Sequence, residues 1–487
     1  MEEFEAAVKR RKITETTEKT MYDNSNQTTD KMKKAIGKNI GGKARRKRDL
    51  KNKSKKKLEN SNNKSNDEAK IAEKLKNLKN YYNQLRVKKG DLKPDKSQRK
   101  ELIQNCFDII QNDYKDIIYK HDGCRIVQSM LKNADVEDRT AIINSLMEYF
   151  AELITQKYAY HLAMKMVEFC PDDKLHDKMI DKIINRIGRF IMHSYASEVI
   201  EALYQNSKVS KKQQMLGAFY GEYFLILAEH KDKTIKELID EKPNIKEGIV
   251  SKLESLTHKL IDKGMTRHTL VQAILYDYIS IAGHEELLEM VNLLLEVFPA
   301  LLKSDKGLQV ACGLFAMASS KERRAIVKTL KPLISEMITS QYQNSINFII
   351  YVCLNLDDTV LARKSIVNTL VKSYEDVSDQ RPAMVLYSLL LTGLNNPIRN
   401  LIHKDTINAM TSMDGNSTSK KDDPVRRKEI LSDLSAEICQ QTKMTMIEDL
   451  MGKTPFIVLS LIQYAIEFDE CDEYMQQLYK NLGKEIT

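Results

Sequence analysis

The stretch Gly123-Cys124-Arg125-Ile126-Val127-Gln128 is the clearest copy of a pattern that returns along the chain: a small residue, two variable residues and then apolar ones. The third residues of successive copies lie 35 to 40 residues apart. Self-similarity at such a period indicates helical units that cannot bury their apolar faces alone and therefore stack. The further copies are Ala159–Met164, Ala196–Glu201, Asp232–Glu237 (weak), Arg267–Gln272, Gly307–Cys312, Ser345–Ile350 and Pro382–Tyr387.

Outside these copies, apolar residues also follow helical spacing, as in the stripe Leu102, Ile103, Phe107, Ile110 and Tyr114. The alternating pattern of strands is nearly absent. The chain has only 17 Gly and 9 Pro in 487 residues, which argues against a loop-rich β protein or a Rossmann-type nucleotide enzyme. We therefore expect an all-α helical-repeat solenoid of about ten or eleven repeats. No apolar run is long enough for a membrane span.

Charge divides the chain into a basic amino-terminal segment and a mildly acidic remainder. Residues 31–57 carry 14 Lys or Arg against one acid, whereas residues 101–487 have a net charge of −8. Residues 1–66 are poor in large apolar side chains, so they are predicted to form a disordered tail. A cationic segment of this kind is attracted to polyanions, chiefly nucleic acid.

Two basic clusters in this tail are candidates for a nuclear address and for nonspecific RNA contact. The alternative is a tail that only keeps the protein in solution. The cations of the two clusters are Lys43, Arg45, Arg46, Lys47, Arg48, Lys53, Lys55, Lys56 and Lys57.

The repeat spacing and the Gly123–Gln128 segment resemble the pumilio (PUF) family, and further blocks in the same order resemble its nucleolar Puf-A branch. The Asp-Asp-Thr block is similar to the start of that branch's carboxy-terminal (CPL) region. Ser345 and Pro382 stand where the family has Gly, so distortion of those repeats is expected. The blocks are His121-Asp122, His193 with Ala196–Glu201 and Tyr204, Met215-Leu216 with Phe219–Gly221, Leu356–Thr359, and Ser419–Asp422 with Val425–Glu429.

Together with the resemblance, the composition predicts four segments. Residues 1–66 are the basic tail, and residues 67–100 are an amphipathic helix with its connector. Residues 101–340 form pumilio-type repeats. Residues 341–487 form CPL-like repeats with a basic loop near 416–428.

In pumilio proteins the repeated segment begins the helix that faces RNA, where two side chains read a base edge and one stacks on the base. The resemblance implies two working triads, one in the copy at 123–128 and one in the copy at 267–272. It also implies RNA contacts from the second copy and from the basic loop. The predicted RNA-binding residues are Cys124, Arg125, Gln128, Tyr160, His161, His268, Thr269, Gln272, Lys420, Lys421, Arg426 and Arg427.

Most other copies lack a side chain that could read a base. Met164, Cys312 and Ile350 occupy edge-reading positions but offer no useful hydrogen bond. Glu198 occupies a stacking position, where its charge would repel nucleic acid. We therefore expect RNA to be bound mainly through its phosphates, with little sequence preference.

The Puf-A resemblance implies a nuclear and nucleolar protein that acts in rRNA processing and assembly of the large ribosomal subunit. Pre-rRNA is then the expected ligand, with mRNA as a further possibility, and ribosomal proteins or pre-ribosomal particles are possible partners of a monomeric chain. Two alternatives stay open: a scaffold that binds a basic ribosomal protein, and an mRNA-binding translational repressor. No arrangement of His, Ser or Cys indicates catalysis, a metal site or a cofactor.

Deletion of residues 31–57 should disperse a fluorescent fusion from the nucleolus. It should also flatten the slope of log affinity against log salt by about 0.7 for each phosphate of single-stranded RNA that the tail no longer neutralises. Imaging and salt titration of the deleted and full-length chains check both expectations. Unchanged localisation together with an unchanged salt slope would contradict the role given to the tail.

Overall fold

The computed structural model describes residues 70–87, 94–111, 113–221, 234–339, 343–377, 381–393, 420–444 and 455–467. The chain divides into two compact units, 1–73 and 74–487, and nearly all of the described residues belong to the second. Both basic clusters of the tail lie outside the described residues, so their role stays a prediction.

Every regular element in the described ranges is helical, in agreement with the predicted all-α class. The first eleven helices are α1 (70–85), α2 (Lys96–Ile110), α3 (Tyr114–Ile118), α4 (His121–Asn133), α5 (Val136–Leu146), α6 (Phe150–Leu153), α7 (Tyr160–Glu168), α8 (Asp173–Ile183), α9 (Ile187–Phe190), α10 (Ala196–Gln205) and α11 (Val209–Gly217).

The helices of the middle part are α12 (Ile235–Glu241), α13 (Lys246–Asp262), α14 (Thr269–Ile281), α15 (His284–Leu294), α16 (Phe298–Leu301), α17 (Asp305–Met317), α18 (Ser320–Leu330) and α19 (Ile334–Thr339). Those of the carboxy-terminal part are α20 (Gln343–Asn355), α21 (Thr359–Ala362), α22 (Asn368–Val377), α23 (Arg381–Thr392), α24 (Asp423–Met444) and α25 (Pro455–Glu467). Three-residue 3-10 turns join α5 to α6, α8 to α9, α15 to α16 and α18 to α19.

The recurring sequence segment lies at the start of one helix in each repeat, and these helices form a continuous row. We call α4, α7, α10, α14, α17, α20 and α23 the marker helices. Each marker helix packs against the next one, and α25 packs against α23 at the end of the row. Their buried faces join one apolar core that runs through the repeats. This arrangement is the solenoid that the repeat spacing predicted.

The weak copy near residue 234 does not extend this row, because α10 packs directly against α14. Thr234 and Glu237, which stand at the stacking and edge-reading positions of this copy, form a helix cap instead. The backbone N–H of Thr234 donates to Glu237 Oε2 at 2.7 Å, and the N–H of Glu237 donates to Thr234 Oγ1 at 3.3 Å. Reciprocal capping of this kind defines the start of α12.

Gly123 and Gly307 each stand near the start of a marker helix, where the backbone lies close to the preceding short helix. A Cβ atom on Gly123 would lie 2.2 Å from the carbonyl oxygen of Ile117. A Cβ atom on Gly307 would lie 1.8 Å from the carbonyl oxygen of Leu301. In both cases the marker helix packs against the short helix that precedes it, which leaves no room for a side chain.

At two later positions a residue other than Gly stands in the pattern, and the marker helix is continuous in both cases. Ser345 is buried in the first turn of α20. Pro382 occupies the first turn of α23, where its missing N–H would have no helical partner in any case. The distortion expected at these two positions is therefore not seen in either helix.

At the carboxy-terminal side, the Asp-Asp-Thr block caps α21, because the side chain of Asp358 accepts from Leu361 N at 3.0 Å. Asp357 accepts from the backbone N–H groups of Lys420 and Lys421 at 2.8 and 3.3 Å. The loop predicted near 416–428 is wrong for its second half, since α24 begins at Asp423. Residues 416–419 lie outside the described residues.

Among the described helices, none combines the length and the apolar character that a membrane crossing requires.

Gly123→Ala and Gly307→Ala should each lower the free energy of unfolding by about 1–3 kcal/mol, because the new methyl group meets a backbone carbonyl that cannot rotate away. Gly188→Ala is the matched control. Nothing lies within 4 Å of its Cβ position, and Ala favours helix by up to about 1 kcal/mol. Urea unfolding of the three variants measures the difference. Equal stabilities of all three would contradict the close packing.

Candidate nucleic-acid interface

Aromatic side chains line the surface where α4, α7 and α10 begin. The rings of Tyr160 and Tyr195 are stacked, with centroids 4.9 Å apart and an interplanar angle of 19°. The ring of His161 lies against the Tyr160 ring at 4.0 Å. Because the Tyr160 ring contacts both His161 and Tyr195, it connects the three rings into one cluster. The exposed face of His161 can accept a further planar group.

The same row continues toward α4 through Tyr158, whose side chain is 48% exposed. The Tyr158 and His121 rings meet edge to face at 5.5 Å. The ammonium group of Lys157 lies 5.7 Å from the centroid of the Tyr158 ring. A cation beside an exposed ring is a combination that suits nucleic acid, since the ring can stack on a base and the cation can meet a phosphate.

His193 explains why Tyr195 occupies this position. Its Nδ1 accepts from the backbone N–H groups of Tyr195 and Ala196 at 3.3 and 3.4 Å, and thereby caps the first turn of α10. The His193 and Tyr195 rings are 5.7 Å apart. This cap couples the position of a surface ring to the start of a marker helix.

A pocket of about 550 Å³ lies beside the stacked rings, between α7 and α10. It combines aromatic faces with amide, hydroxyl, ammonium and carboxylate groups, which is the chemistry a polar planar ligand needs. The pocket is lined by Gln128, Tyr160, His161, Met164, Lys165, Glu168, Ser194, Tyr195 and Glu198.

Arg125 is the one exposed member of the predicted triad on α4. Asp122 pairs instead with Lys79 at 2.6 Å and with His121 at 3.1 Å. Hydrogen bonds from Lys79 and His121 hold the pKa of Asp122 below its ordinary value. Arg125 is therefore available to a ligand.

The other two members of that triad contact each other. Cys124 is 1% exposed, and its Sγ donates to the carbonyl oxygen of Tyr158 at 3.3 Å. The Nε2 of Gln128 donates to Cys124 Sγ at 3.2 Å, although Gln128 stays partly exposed at the pocket. The prediction that Cys124 reads a base is wrong, since its side chain lies between repeats.

The second predicted triad is in the interior. Gln272 is 0% exposed, and its Nε2 donates to the carbonyl oxygens of Thr266 at 3.0 Å and Ala300 at 2.8 Å. Ser304 Oγ donates to the other end of the amide. His268 is 2% exposed, and burial lowers the pKa of its ring. Base reading by this pair is ruled out in this arrangement, because both side chains are buried and the amide joins the turn before α14 to the following repeat.

Thr269, the third member, bonds to Glu201 of α10. Glu201 Oε1 accepts from Thr269 N and from Thr269 Oγ1, both at 2.7 Å, and Glu201 Oε2 accepts from Leu270 N at 3.2 Å. The carboxylate therefore caps the start of α14 from a residue 68 positions earlier in the chain. An acidic residue at an edge-reading position was the only sign of this contact in the sequence.

Burial at the edge-reading positions is general along the row. Of the eight copies, only three have that residue at least partly exposed: Gln128, Met164 and Glu237, the last of which belongs to the cap of α12. The buried ones are Glu201 at 9% and Gln272, Cys312, Ile350 and Tyr387 at 0% exposure.

The cations of the predicted basic loop fall into two groups, one at the surface and one buried. Lys420 is exposed, and Lys421 pairs with Glu429 at 2.6 Å. Arg426 is 4% exposed, and it donates to the carbonyl oxygen of Leu354. Assignment of Arg426 to RNA is therefore wrong, since its guanidinium binds the end of α20.

Arg427 has a similar internal role. It is 6% exposed, donates to the carbonyl oxygen of Leu391 at 3.0 Å and to Asp423 at 2.9 Å, and pairs with Glu467. These bonds join α23, α24 and α25. Its assignment to RNA is wrong for the same reason.

In the part of the chain that the structure describes, one group could converge on a metal ion. Glu254 and His258 lie one turn apart on α13, and Glu289 lies on α15, with ligand atoms within 4.8 Å of one another. All three are at least partly exposed, and exposed acidic groups of this kind are common without a metal. We assign no metal role to them.

The fold and this surface define the class: an all-α helical-repeat solenoid whose marker helices present rings and cations near its amino-terminal end. A model of the CPL (NUC119) domain matches residues 385–485. Pumilio homology domain family member 6 of Saccharomyces cerevisiae is 29% identical over 361 residues, which are 73% of this chain and 54% of that protein. Pumilio homolog 3 of Homo sapiens is 24% identical over 369 residues, which are 75% of this chain and 56% of that protein.

The crystal structure of human Puf-A has the same fold, with a TM-score of 0.72, 21% identity, and coverage of 81% of this chain and 75% of that one. The crystal structure of human Puf-A in complex with DNA gives a TM-score of 0.72 at 22% identity. Together with the CPL match, these relatives support the predicted resemblance of the chain to the Puf-A/pumilio-like family. The chain spans about half the length of the curated relatives it matches.

Gln272→Ala should lower the free energy of unfolding by about 1–3 kcal/mol, because it leaves buried carbonyl groups of two neighbouring segments without a donor. RNA affinity of the folded protein should not change. Gln128→Ala is the control, with a stability change within about 0.5 kcal/mol. Urea unfolding and an RNA titration at the same temperature measure both. A large drop in affinity with unchanged stability would contradict the interior role.

Proposed function

We propose that this chain is an RNA-binding nucleolar factor for assembly of the large ribosomal subunit, and that it holds RNA mainly through phosphates and ring stacking. The observation that carries the low sequence specificity is the burial of five edge-reading positions along the marker helices. A side chain with no exposed surface cannot donate to or accept from a base edge. Phosphates and ring faces are the same for every nucleotide.

The surface around α4, α7 and α10 supports RNA as the ligand. Arg125 and His161 are exposed at the stacking positions of the first two repeats. Tyr158 and Lys157 lie between them in the chain and face solvent. The exposed cations can neutralise phosphates, while the rings offer stacking surfaces that tolerate any base.

The tail adds a second electrostatic contribution in this proposal. Residues 31–57 carry 14 cations, and a basic segment increases affinity for any polyanion without selecting a sequence. The solved complex of human Puf-A with DNA supports a nucleic acid, rather than a basic protein, as the ligand of this chain as well.

The nucleolar and ribosomal part of the proposal follows from the Puf-A type of the chain. Pre-rRNA is the ligand we propose, with pre-ribosomal particles as the setting and no catalytic step by the chain itself. Purification of the tagged protein followed by crosslinking and RNA sequencing tests this. Reads concentrated in rRNA precursors would support the proposal, whereas reads concentrated in mature mRNAs would favour translational repression.

A panel of single-stranded RNAs matched in length should bind the full chain with affinities that differ by less than about 100-fold, or roughly 2.7 kcal/mol. The reason is the burial of the edge-reading residues. Fluorescence anisotropy at constant salt measures the spread. A wider spread would mean that the repeats read sequence.

Joint replacement of Arg125 and His161 by Ala should weaken binding of every RNA in that panel by about 1–3 kcal/mol, since the change removes a stacking surface together with a cation. Lys174→Ala, an exposed cation on α8 away from the marker helices, is the control and should have little effect. Equal weakening by both variants would point to charge alone rather than to this surface.

A further inference from the structure

Glu198 presents a difficulty for any nucleic-acid path along the marker helices. It lines the pocket together with Tyr160, His161 and Tyr195. Its side chain is 39% exposed, so its carboxylate faces the same solvent as the stacked rings. A carboxylate in that position repels phosphates.

The compensating charge comes from a distant part of the chain. Arg267 lies in the 3-10 turn before α14, and its Nη2 forms an ion pair with Glu198 Oε1 across 69 residues of sequence. The Arg267 side chain is 54% exposed. An ion pair between groups this exposed contributes little to stability, so folding alone does not account for it.

The position of Arg267 is fixed from both sides. Thr266, the residue before it, is buried, and its carbonyl oxygen accepts from Gln272. His268, the residue after it, is also buried. Glu201 binds the N–H groups of the next two residues, one turn along α10 from Glu198. The backbone of Arg267 is thus held against α10, while its guanidinium stays at the surface.

We propose that Arg267 is a positioning and phosphate-contacting residue that makes the third repeat compatible with RNA and carries the binding path from α10 directly to α14. A guanidinium has five N–H donors, so it can bind Glu198 and a phosphate at the same time. This path leads from α10 to α14 without passing along α11, α12 or α13. The row of marker helices follows the same course. This inference rests on the proposed RNA-binding function.

A double-mutant cycle on the full chain tests this role, with a short fluorescein-labelled single-stranded RNA of mixed sequence as the probe. Arg267→Ala should weaken binding about tenfold or more, because it removes a phosphate-binding group and leaves Glu198 uncompensated. In the Glu198→Gln background the same change should cost about threefold or less, since no repulsive charge remains. Arg267→Lys should restore part of the affinity.

Lys208→Ala is the matched control. It removes another exposed, ion-paired cation, which lies just before α11 and pairs with Asp173 of α8 at 2.5 Å, and it should change affinity less than twofold. Thermal unfolding should be nearly the same for all variants, which separates a direct effect on binding from misfolding. The salt slope of the Arg267→Ala variant should fall by about 0.7, the value for one phosphate on a single strand.

Two results would overturn the inference: binding by Arg267→Ala within twofold of the unmodified chain, or equal weakening in both backgrounds. Failure of the proposed function would look different. The unmodified chain would then bind the probe no better than the Arg125 and His161 double variant does, whatever residue stands at position 267.

Discussion

The carboxylate of Glu201 is the interaction on which the row of marker helices depends. By accepting from the first N–H groups of α14, it joins α10 to a helix that begins more than 60 residues later. The described helices between them, α11, α12 and α13, pack beside the row instead of extending it. Because Glu201 occupies an edge-reading position, the contact that continues the solenoid also removes a residue that could have recognised a base.

Gln272 combines the same two effects on the next marker helix. A buried amide must be hydrogen bonded, and its partners here are the carbonyl of Thr266, just before its own helix, and the carbonyl of Ala300 in the following repeat. In a protein that reads sequence, polar side chains at these positions would face RNA. Here they form hydrogen bonds that hold neighbouring repeats together. What remains for RNA is exposed charge and ring faces, which fits binding with little base preference.

Much of the fold could be predicted from the sequence because its signals are local. Helical spacing, the recurrence of the Gly123–Gln128 pattern and the cap at Asp358 all depend on residues a few positions apart. Exposure of Arg125 and the contact between Tyr160 and His161 also follow from positions on one helix. The amphipathic helix predicted within residues 67–100 is found at 70–85 for the same reason.

The predictions that were wrong concern side chains whose hydrogen-bond partners lie far away in the chain. Gln272 binds a carbonyl 28 residues away, Arg427 pairs with a residue 40 positions away, and Arg426 binds Leu354 across 72. A basic or amide side chain has the same appearance in the sequence whether it faces solvent or a neighbouring repeat. Tyr195 was missed as an interface ring because its stacking partner, Tyr160, lies on the preceding marker helix.

Ultraviolet crosslinking of the full chain to single-stranded RNA, with the crosslinked residues identified by mass spectrometry, tests the central claim most directly. The account predicts crosslinks at the rings where α4, α7 and α10 begin, chiefly Tyr158, His161 and Tyr195, with the same residues found for RNAs of different sequence. Crosslinks confined to the outer helices α8 and α11, or a set of residues that changes with RNA sequence, would contradict it.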